Sequence, residues 1–126
     1  MKETVHTDAA PAAVGAYSQA TTNGDLVFTA GQIALTPEGD VLDDASIAEQ
    51  TEQVLDNLVA VLDEAGADPS DVLKTTVFLA DIDDFDEMNE TYAGYFEESP
   101  PARSAVEVGA LPKGADVEIE AVAVGE

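Results

Sequence analysis

The sequence RSAVEV at residues 103–108 is followed by VEIEAV at residues 117–122, and these two segments carry the strongest indication of the fold. Side chains in this last quarter of the chain alternate in character, which is typical of strands that bury one face. The connection at residues 109–116 contains proline and glycine, which are turn-forming residues. The two stretches therefore predict two strands that can form an antiparallel pair.

The register of this predicted pair follows from its apolar positions. When Ala102 lies opposite Ile119, the apolar side chains of both strands share one face of the sheet. Arg103 then lies directly opposite Glu118 on the other face. The predicted pairing thus brings a guanidinium and a carboxylate within reach of each other.

The rest of the chain predicts three further strands and two helices. Ser46 and Glu49 form a capping-box pattern at the start of the first helix, and Gly66 supplies a left-handed cap at its end. The second helix carries apolar residues on one face and stops before two prolines. These elements predict a single α+β domain over residues 1–126, in which two helices pack on one sheet. The expected strands are at 17–22, 26–30 and 72–79, and the second helix is at about 84–97.

Composition argues against several classes of function. The 126 residues include 27 Asp and Glu against 4 Lys and Arg, for a formal net charge of −23. Such a charge repels phosphate backbones and anionic membranes, so we expect neither nucleic acid nor a membrane as a partner. The acids are spread through segments with apolar periodicity, which favours a solvated shell suited to a salt-rich cytosol, as in extreme halophiles. The chain has no cysteine, which excludes disulfides and thiolate chemistry.

The amino terminus favours a cytoplasmic location. Residues 1–6 lack the apolar stretch of a signal peptide. No apolar run in the chain approaches the roughly 18 residues that a membrane span requires.

Arg103 is the strongest candidate for a functional residue because it is the only arginine in an acidic chain. A guanidinium can hold a carboxylate through two parallel hydrogen bonds, which suits it to an acidic ligand. The alternative is an ordinary surface ion pair. Glu118 could orient or deprotonate a water molecule, or it could be a solvated strand residue. Its candidacy depends on the predicted pairing with Arg103.

Tyr17 and Asn89 are less specific candidates. Tyr17 is either a buried aromatic residue or a hydroxyl that lines a pocket. Asn89 lies inside the second predicted helix, where its amide is mildly unfavourable, so it could bind a loop or a substrate. His6 is the only histidine, and it makes neither a catalytic triad nor a His-rich metal site. We expect no metal centre.

Several motifs, taken in order along nearly the whole chain, closely resemble the Rid (YjgF) family of reactive-intermediate deaminases. PARSAVEV at residues 101–108 is the most specific of them. The others are APAAVGAYSQA at 10–20, AGQI at 30–33, QT at 50–51 with NL at 57–58, KTTVFL at 74–79, DF through N at 84–89, LPKG at 111–114 and VEIEA at 117–121.

The resemblance implies a fold and an assembly. The fold would be of the chorismate-mutase-like α+β type, with a mixed sheet backed by two helices. Three copies would assemble with their sheets inward, and the clefts between subunits would form the active sites.

The resemblance also implies roles for six residues. Arg103 would bind the substrate carboxylate, and Glu118 would help to position the attacking water. The remaining groups would line the cleft or contact the substrate: Tyr17, Asn89, the Gly31 backbone and the main chain at Ala105. Ala30 replaces a serine that is frequent in the deaminases, so one hydroxyl contact is lost.

The activity that the resemblance implies is hydrolysis of 2-imino and enamine acids, such as 2-aminoacrylate, to 2-keto acids and ammonia without a cofactor. A first alternative is a binding module that senses a small carboxylate in the same cleft. A second is a ribonuclease or translation inhibitor, which the net charge of −23 and the lack of a basic patch oppose.

Overall fold

A six-stranded mixed sheet with two helices on one face makes up the protein in the computed structural model, which describes residues 1–125. The strands occur in the sheet in the order β1-β2-β3-β6-β4-β5. All neighbours are antiparallel except β4 and β5, which are parallel. The strands are β1 (Glu3–Val5), β2 (Ala20–Thr22), β3 (Leu26–Thr29), β4 (Val72–Leu79), β5 (Ala102–Glu107) and β6 (Val117–Val124), and the helices are α1 (Ile47–Glu64) and α2 (Phe85–Ala93).

Helix α1 begins and ends as the sequence predicts. The Ser46 hydroxyl accepts a hydrogen bond from the Glu49 amide at 3.1 Å, and the Glu49 carboxylate accepts one from the Ser46 amide at 3.3 Å. After the helix, Gly66 adopts a φ of 83° and donates its amide hydrogen bond back to Asp63. These local contacts satisfy backbone groups that a helix terminus otherwise leaves without partners.

The core lies between the helices and one face of the sheet. Helix α1 buries a continuous stripe that includes Val54, Leu58 and Val61, each no more than 2% exposed. Val77 of β4 and Ile119 of β6 are fully buried on the facing side of the sheet. Burial of each such side chain stabilises the fold by roughly 1.5–3 kcal/mol before entropy is counted.

Helix α2 is shorter than the sequence predicts. The prediction extended it to Glu97, whereas the helix ends at Ala93 and Gly94 follows. Glycine is a poor helix former, and the acidic residues at positions 97 and 98 would lie unfavourably at a helix carboxyl end. Phe96 nevertheless packs against the core from the segment after the helix.

Strand β1 was not predicted from the sequence. It is three residues long and pairs with β2, with Glu3 opposite Thr22. A segment this short and polar has no apolar periodicity by which to recognise it.

The predicted antiparallel pairing of the last two strands is wrong. Strand β5 pairs in parallel with β4, with Arg103 in register with Thr75. Strand β6 pairs with the other edge of β4, with Glu118 in register with Phe78. The reason is that α2 connects β4 to β5, and a helical crossover is the connection that joins parallel strands. Alternation fixes which residues share a face but does not identify the neighbouring strand.

Candidate active site

Arg103 is held by one face of helix α2. Its Nη1 donates a hydrogen bond of 2.7 Å to Asn89 Oδ1. Its Cζ lies 4.7 Å from the ring centroid of Tyr92 and 5.2 Å from that of Phe85. Positions 85, 89 and 92 are separated by four and three residues, so α2 presents all three side chains on the same side.

No carboxylate pairs with Arg103 within residues 1–125. The one contact between a basic side chain and a carboxylate in this part of the chain joins His6 Nε2 to Asp8 Oδ1 near the amino terminus, at 3.0 Å. The interpretation of Arg103 as an ordinary surface ion pair is therefore wrong. A guanidinium has five N–H donors, and its hydrogen bond to Asn89 leaves most of them available to an incoming carboxylate.

Tyr92 connects the arginine to the sheet. Its hydroxyl lies 2.7 Å from the Thr75 hydroxyl, and the two residues are 4% and 0% exposed. Burial raises the pKa of Tyr92, against the lowering effects of the Thr75 hydrogen bond and the nearby Arg103 charge. The phenol therefore stays neutral and acts as an apolar ring with one satisfied hydroxyl.

A cavity of about 360 Å³ opens beside Arg103. Apolar and aromatic groups form most of its wall, and Asn89 and Arg103 supply the polar groups. The other lining residues are Tyr92, Ala93, Phe96, Pro100 and Pro101.

Glu118 lies in a different cavity, of about 480 Å³, which Tyr17, Gly31 and Ala30 also line. The Glu118 side chain is half-buried, and burial raises the pKa of its carboxyl, with a further contribution from the neighbouring charge of Glu120. Within residues 1–125 its carboxylate accepts no hydrogen bond that would oppose this effect. A carboxylate with a raised pKa is a better proton acceptor, as a general base requires.

Gly31 allows the Glu118 side chain to lie directly against the backbone. A Cβ atom at this position would come within 2.8 Å of Glu118 Cδ, a separation that real Cβ atoms do not show. A side chain at position 31 would therefore displace the Glu118 carboxylate, so the glycine permits the observed position of that group. The sequence resemblance implied a role for the Gly31 backbone, and the geometry supplies a physical reason for a glycine at this position.

Tyr17 is 55% exposed and lines the Glu118 cavity, so the interpretation of Tyr17 as a buried aromatic residue is wrong. Sequence reasoning missed the residue that holds its loop. Gln19 is 2% exposed, donates hydrogen bonds to the carbonyls of Thr7 and Pro11 at 3.0 and 2.8 Å, and accepts one from the Thr7 amide at 2.7 Å. The signal available in the sequence was a single glutamine among small residues, which could have indicated a polar side chain that holds the loop.

Five of the six residues named from the sequence fall into two separate groups. Tyr17, Gly31 and Glu118 surround one cavity, and Asn89 and Arg103 surround the other. Ala105 lies on β5 beside Val77 and lines neither cavity.

The two groups lie on opposite faces of the sheet. Arg103 shares its row with Thr75, which is buried under the helices. Glu118 shares its row with Phe78 on the other face, and β4 separates the two strands. Arg103 and Glu118 of one chain therefore do not face each other, and the predicted contact between them is wrong.

The described residues contain neither a metal-binding cluster nor a helix able to span a membrane. Among residues 1–125 no group of three or more His, Asp or Glu side chains is arranged to hold a metal ion. In the same part of the chain neither helix is long and apolar enough to cross a bilayer.

Comparison with known proteins defines the class. The family model described as Endoribonuclease L-PSP matches residues 7–125. A RutC family protein of Pyrococcus abyssi is 50% identical over 99% of this chain and 98% of its own length. A 2-iminobutanoate/2-iminopropanoate deaminase of Rattus norvegicus is 47% identical over 98% of this chain and 90% of its own length. The chain therefore belongs to the YjgF/RidA family.

Solved structures agree with this conclusion. The crystal structure of TdcF from E. coli with bound serine superposes with a TM-score of 0.92 at 38% identity, covering 98% of this chain and 99% of that one. The predicted α+β fold, a mixed sheet with two helices on one face, is confirmed.

Proposed function

We propose that this protein hydrolyses reactive 2-imino and enamine acids to 2-keto acids and ammonia. The observation that carries the proposal is a single arginine, held beside a cavity, that has no acidic partner within residues 1–125 of a chain with 27 acids. An unpaired guanidinium attracts a small carboxylate. Relatives at 44–47% identity that bear the name 2-iminobutanoate/2-iminopropanoate deaminase support the choice of reaction.

In this proposal the two groups of residues divide the work. Arg103 binds the substrate carboxylate through two parallel hydrogen bonds, and Asn89 fixes the plane of the guanidinium. Tyr17, Gly31 and the main chain at Ala105 line the cleft. Glu118 holds a water molecule against the C=N carbon and accepts one of its protons as the C–O bond forms.

The reaction then completes through the tetrahedral adduct. The proton held by Glu118 is transferred to the nitrogen, and the C–N bond then breaks as the C=O bond forms. The hydroxyl proton of the adduct passes to the Glu118 carboxylate and from there to the departing ammonia, so the products are the 2-keto acid and ammonium. A protonated imine is already electrophilic, so positioning and general-base catalysis supply the needed acceleration of roughly 10²- to 10⁴-fold.

The proposed site requires more than one copy of the chain, because Arg103 and Glu118 lie on opposite faces of the sheet. We assign it to the clefts of a homotrimer in which the sheets face inward. The face of the sheet away from the helices supports this assembly, since Phe28, Val106 and Val124 are 43–50% exposed there. Apolar side chains grouped on one sheet face favour association.

The experiment is keto-acid formation from serine and a pyridoxal-phosphate dehydratase at high salt, with and without the protein. We expect the protein to raise the initial rate above that of spontaneous hydrolysis. Arg103→Lys keeps the charge but loses the planar fork, so we expect kcat/KM to fall roughly 10- to 100-fold. An Arg103→Lys variant as active as wild type would refute the assignment of the anchor.

A binding module is the competing function, and the TdcF structure with bound serine is the observation that favours it. A pure binder would bind 2-ketobutanoate and leave the spontaneous rate of hydrolysis unchanged. The name of the matched family raises RNA cleavage as a further outcome. Cleavage that persists in Arg103→Ala through repeated purification would contradict the deaminase proposal.

A further inference from the structure

The surroundings of Arg103 hold its position without neutralising its charge. An arginine in a chain of net charge −23 would ordinarily pair with a carboxylate. Within residues 1–125 it contacts two aromatic rings and one amide oxygen instead. Aromatic faces attract a cation through their quadrupole, which carries no net charge. The positive charge therefore stays available to a ligand.

Helix α2 keeps its acids away from this position. Phe85, Asn89 and Tyr92 form the side of the helix that contacts Arg103. The acids at positions 86, 87 and 90 of the same helix are exposed and make no ion pair with the arginine. The helix therefore holds the guanidinium through two aromatic rings and an amide oxygen, and its carboxylates do not neutralise the positive charge.

The sheet fixes one of the two rings. Thr75 of β4 is in register with Arg103 of β5, so the two residues are neighbours across adjacent strands. The Thr75 hydroxyl is bonded to the Tyr92 hydroxyl at 2.7 Å in a buried setting, and Phe96 packs on the Tyr92 ring with centroids 4.7 Å apart. The register between β4 and β5 thereby sets the distance between the Tyr92 ring and the Arg103 guanidinium.

From these contacts we infer that Phe85 and Tyr92 form an aromatic pair that positions the Arg103 guanidinium and so sets the affinity of the site for a substrate carboxylate. The inference rests on the proposed role of Arg103 as the carboxylate anchor. Both members of the aromatic pair are positioning residues, because they act through the arginine. Thr75 supports the pair by holding the Tyr92 ring in place.

The first test observes the guanidinium directly and requires no activity. Because Arg103 is the only arginine, labelling the protein with ¹⁵N-arginine gives a single side-chain Nε–H resonance. In the wild type we expect a ring-current shift of this signal and slow rotation of the guanidinium. Phe85→Leu should reduce both the ring-current shift and the slowing of the rotation. Tyr92→Phe keeps the aromatic ring but removes its hydrogen bond to Thr75, so the ring should be held less firmly.

The matched control is Tyr95→Phe. Tyr95 follows the same helix and bonds through its hydroxyl to Asp56 at 2.7 Å, without contact to the arginine. Removal of the Tyr95 hydroxyl should leave the Arg103 Nε–H signal unchanged. The inference would be overturned if the wild-type Nε–H signal had the chemical shift and rotation rate of free arginine. It would also be overturned if Tyr92→Phe and Tyr95→Phe changed this signal equally.

The second test measures function. Phe85→Leu should raise KM and the Kd for 2-ketobutanoate about three- to tenfold, with kcat changed less than about twofold. In an Arg103→Ala background the same substitution should have no further effect, because the aromatic pair acts through the guanidinium. A loss of kcat alone, or additive effects in the double variant, would contradict the inference.

The two tests separate two failures. If the wild type neither binds 2-ketobutanoate nor accelerates hydrolysis, the proposed function fails, whatever the arginine signal shows. If the wild type is active and the arginine signal does not respond to the aromatic pair, the inference fails and the proposed function stands.

Discussion

Partial burial of the Glu118 carboxyl has two effects: it makes the carboxylate a better proton acceptor, and it makes the ionised form costly to the stability of the fold. Burial raises its pKa above the ordinary value of 4.5, so the folded state favours the protonated form. Ionised Glu118 therefore costs stability at pH values above its raised pKa. As the pH falls through the raised pKa and then the unfolded value, this cost disappears, but so does the base.

Glu118→Gln should consequently lower turnover and raise the melting temperature. The gain in stability should be present at neutral pH and should vanish in acid, below the unfolded pKa of the carboxyl. Binding of 2-ketobutanoate should be largely retained. Thermal unfolding at several pH values, together with turnover, checks this expectation. Loss of binding and turnover in equal measure would indicate a structural role.

Gly31→Ala tests the close approach of Glu118 to the backbone. The new methyl group would displace the Glu118 carboxylate, because a Cβ at position 31 would overlap the end of that side chain. We expect kcat to fall about tenfold or more, as for a misplaced general base, with a smaller change in KM. Gly109→Ala is the matched control, since a Cβ at Gly109 meets no atom within 4 Å. Equal activity of the two variants would disprove the positioning role of Gly31.

At the scale of elements, the sequence predicted what depends on neighbours along the chain. Strand β4 runs from Val72 to Leu79 as predicted, and α1 has the predicted caps. The signals for these features are periodicity and hydrogen bonds within a few residues. The predicted pairing of β5 was wrong because alternation is the same for any partner strand, whereas the helix that connects β4 to β5 favours a parallel pair.

The candidate site was predicted in part, and for the same reason. Arg103 was identified by composition and by resemblance, which need no geometry. The argument for Glu118 from the residues alone used a pairing with Arg103 that is wrong, so its identification rests on the resemblance. Their separation by β4 depends on the order of strands, which no local pattern contains. The contacts of Arg103 with Phe85 and Tyr92 were missed because apolar periodicity indicates which side chains share a face of the helix but not which groups they contact.

For the whole molecule, the separation of Arg103 and Glu118 gives a direct test of the proposed trimer. Arg103→Ala and Glu118→Gln alone should each retain only a small fraction of wild-type activity. Co-expressed in equal amounts, the two variants should recover about a quarter of wild-type activity, because one cleft in four then receives both intact residues. Activity is measured after purification by size exclusion. A mixture as inactive as its components would contradict a site shared between copies.

The net charge of −23 predicts a dependence on salt. Self-repulsion grows as the Debye length increases from about 3 Å at 1 M to about 10 Å at 0.1 M salt. We expect the assembly to dissociate or unfold below roughly molar salt. Sedimentation and thermal unfolding across a salt series measure this, and a melting temperature independent of salt would count against it.

The expectation of one domain over residues 1–126 stays a prediction.

The opposite orientation of Arg103 and Glu118 has a kinetic consequence. If no single copy contains a complete active site, the specific activity depends on the protein concentration. On dilution below the dissociation constant of the assembly, the rate per milligram would decline and would recover on reconcentration. The amount of this protein in a cell would then control the output of each molecule as well as the number of molecules.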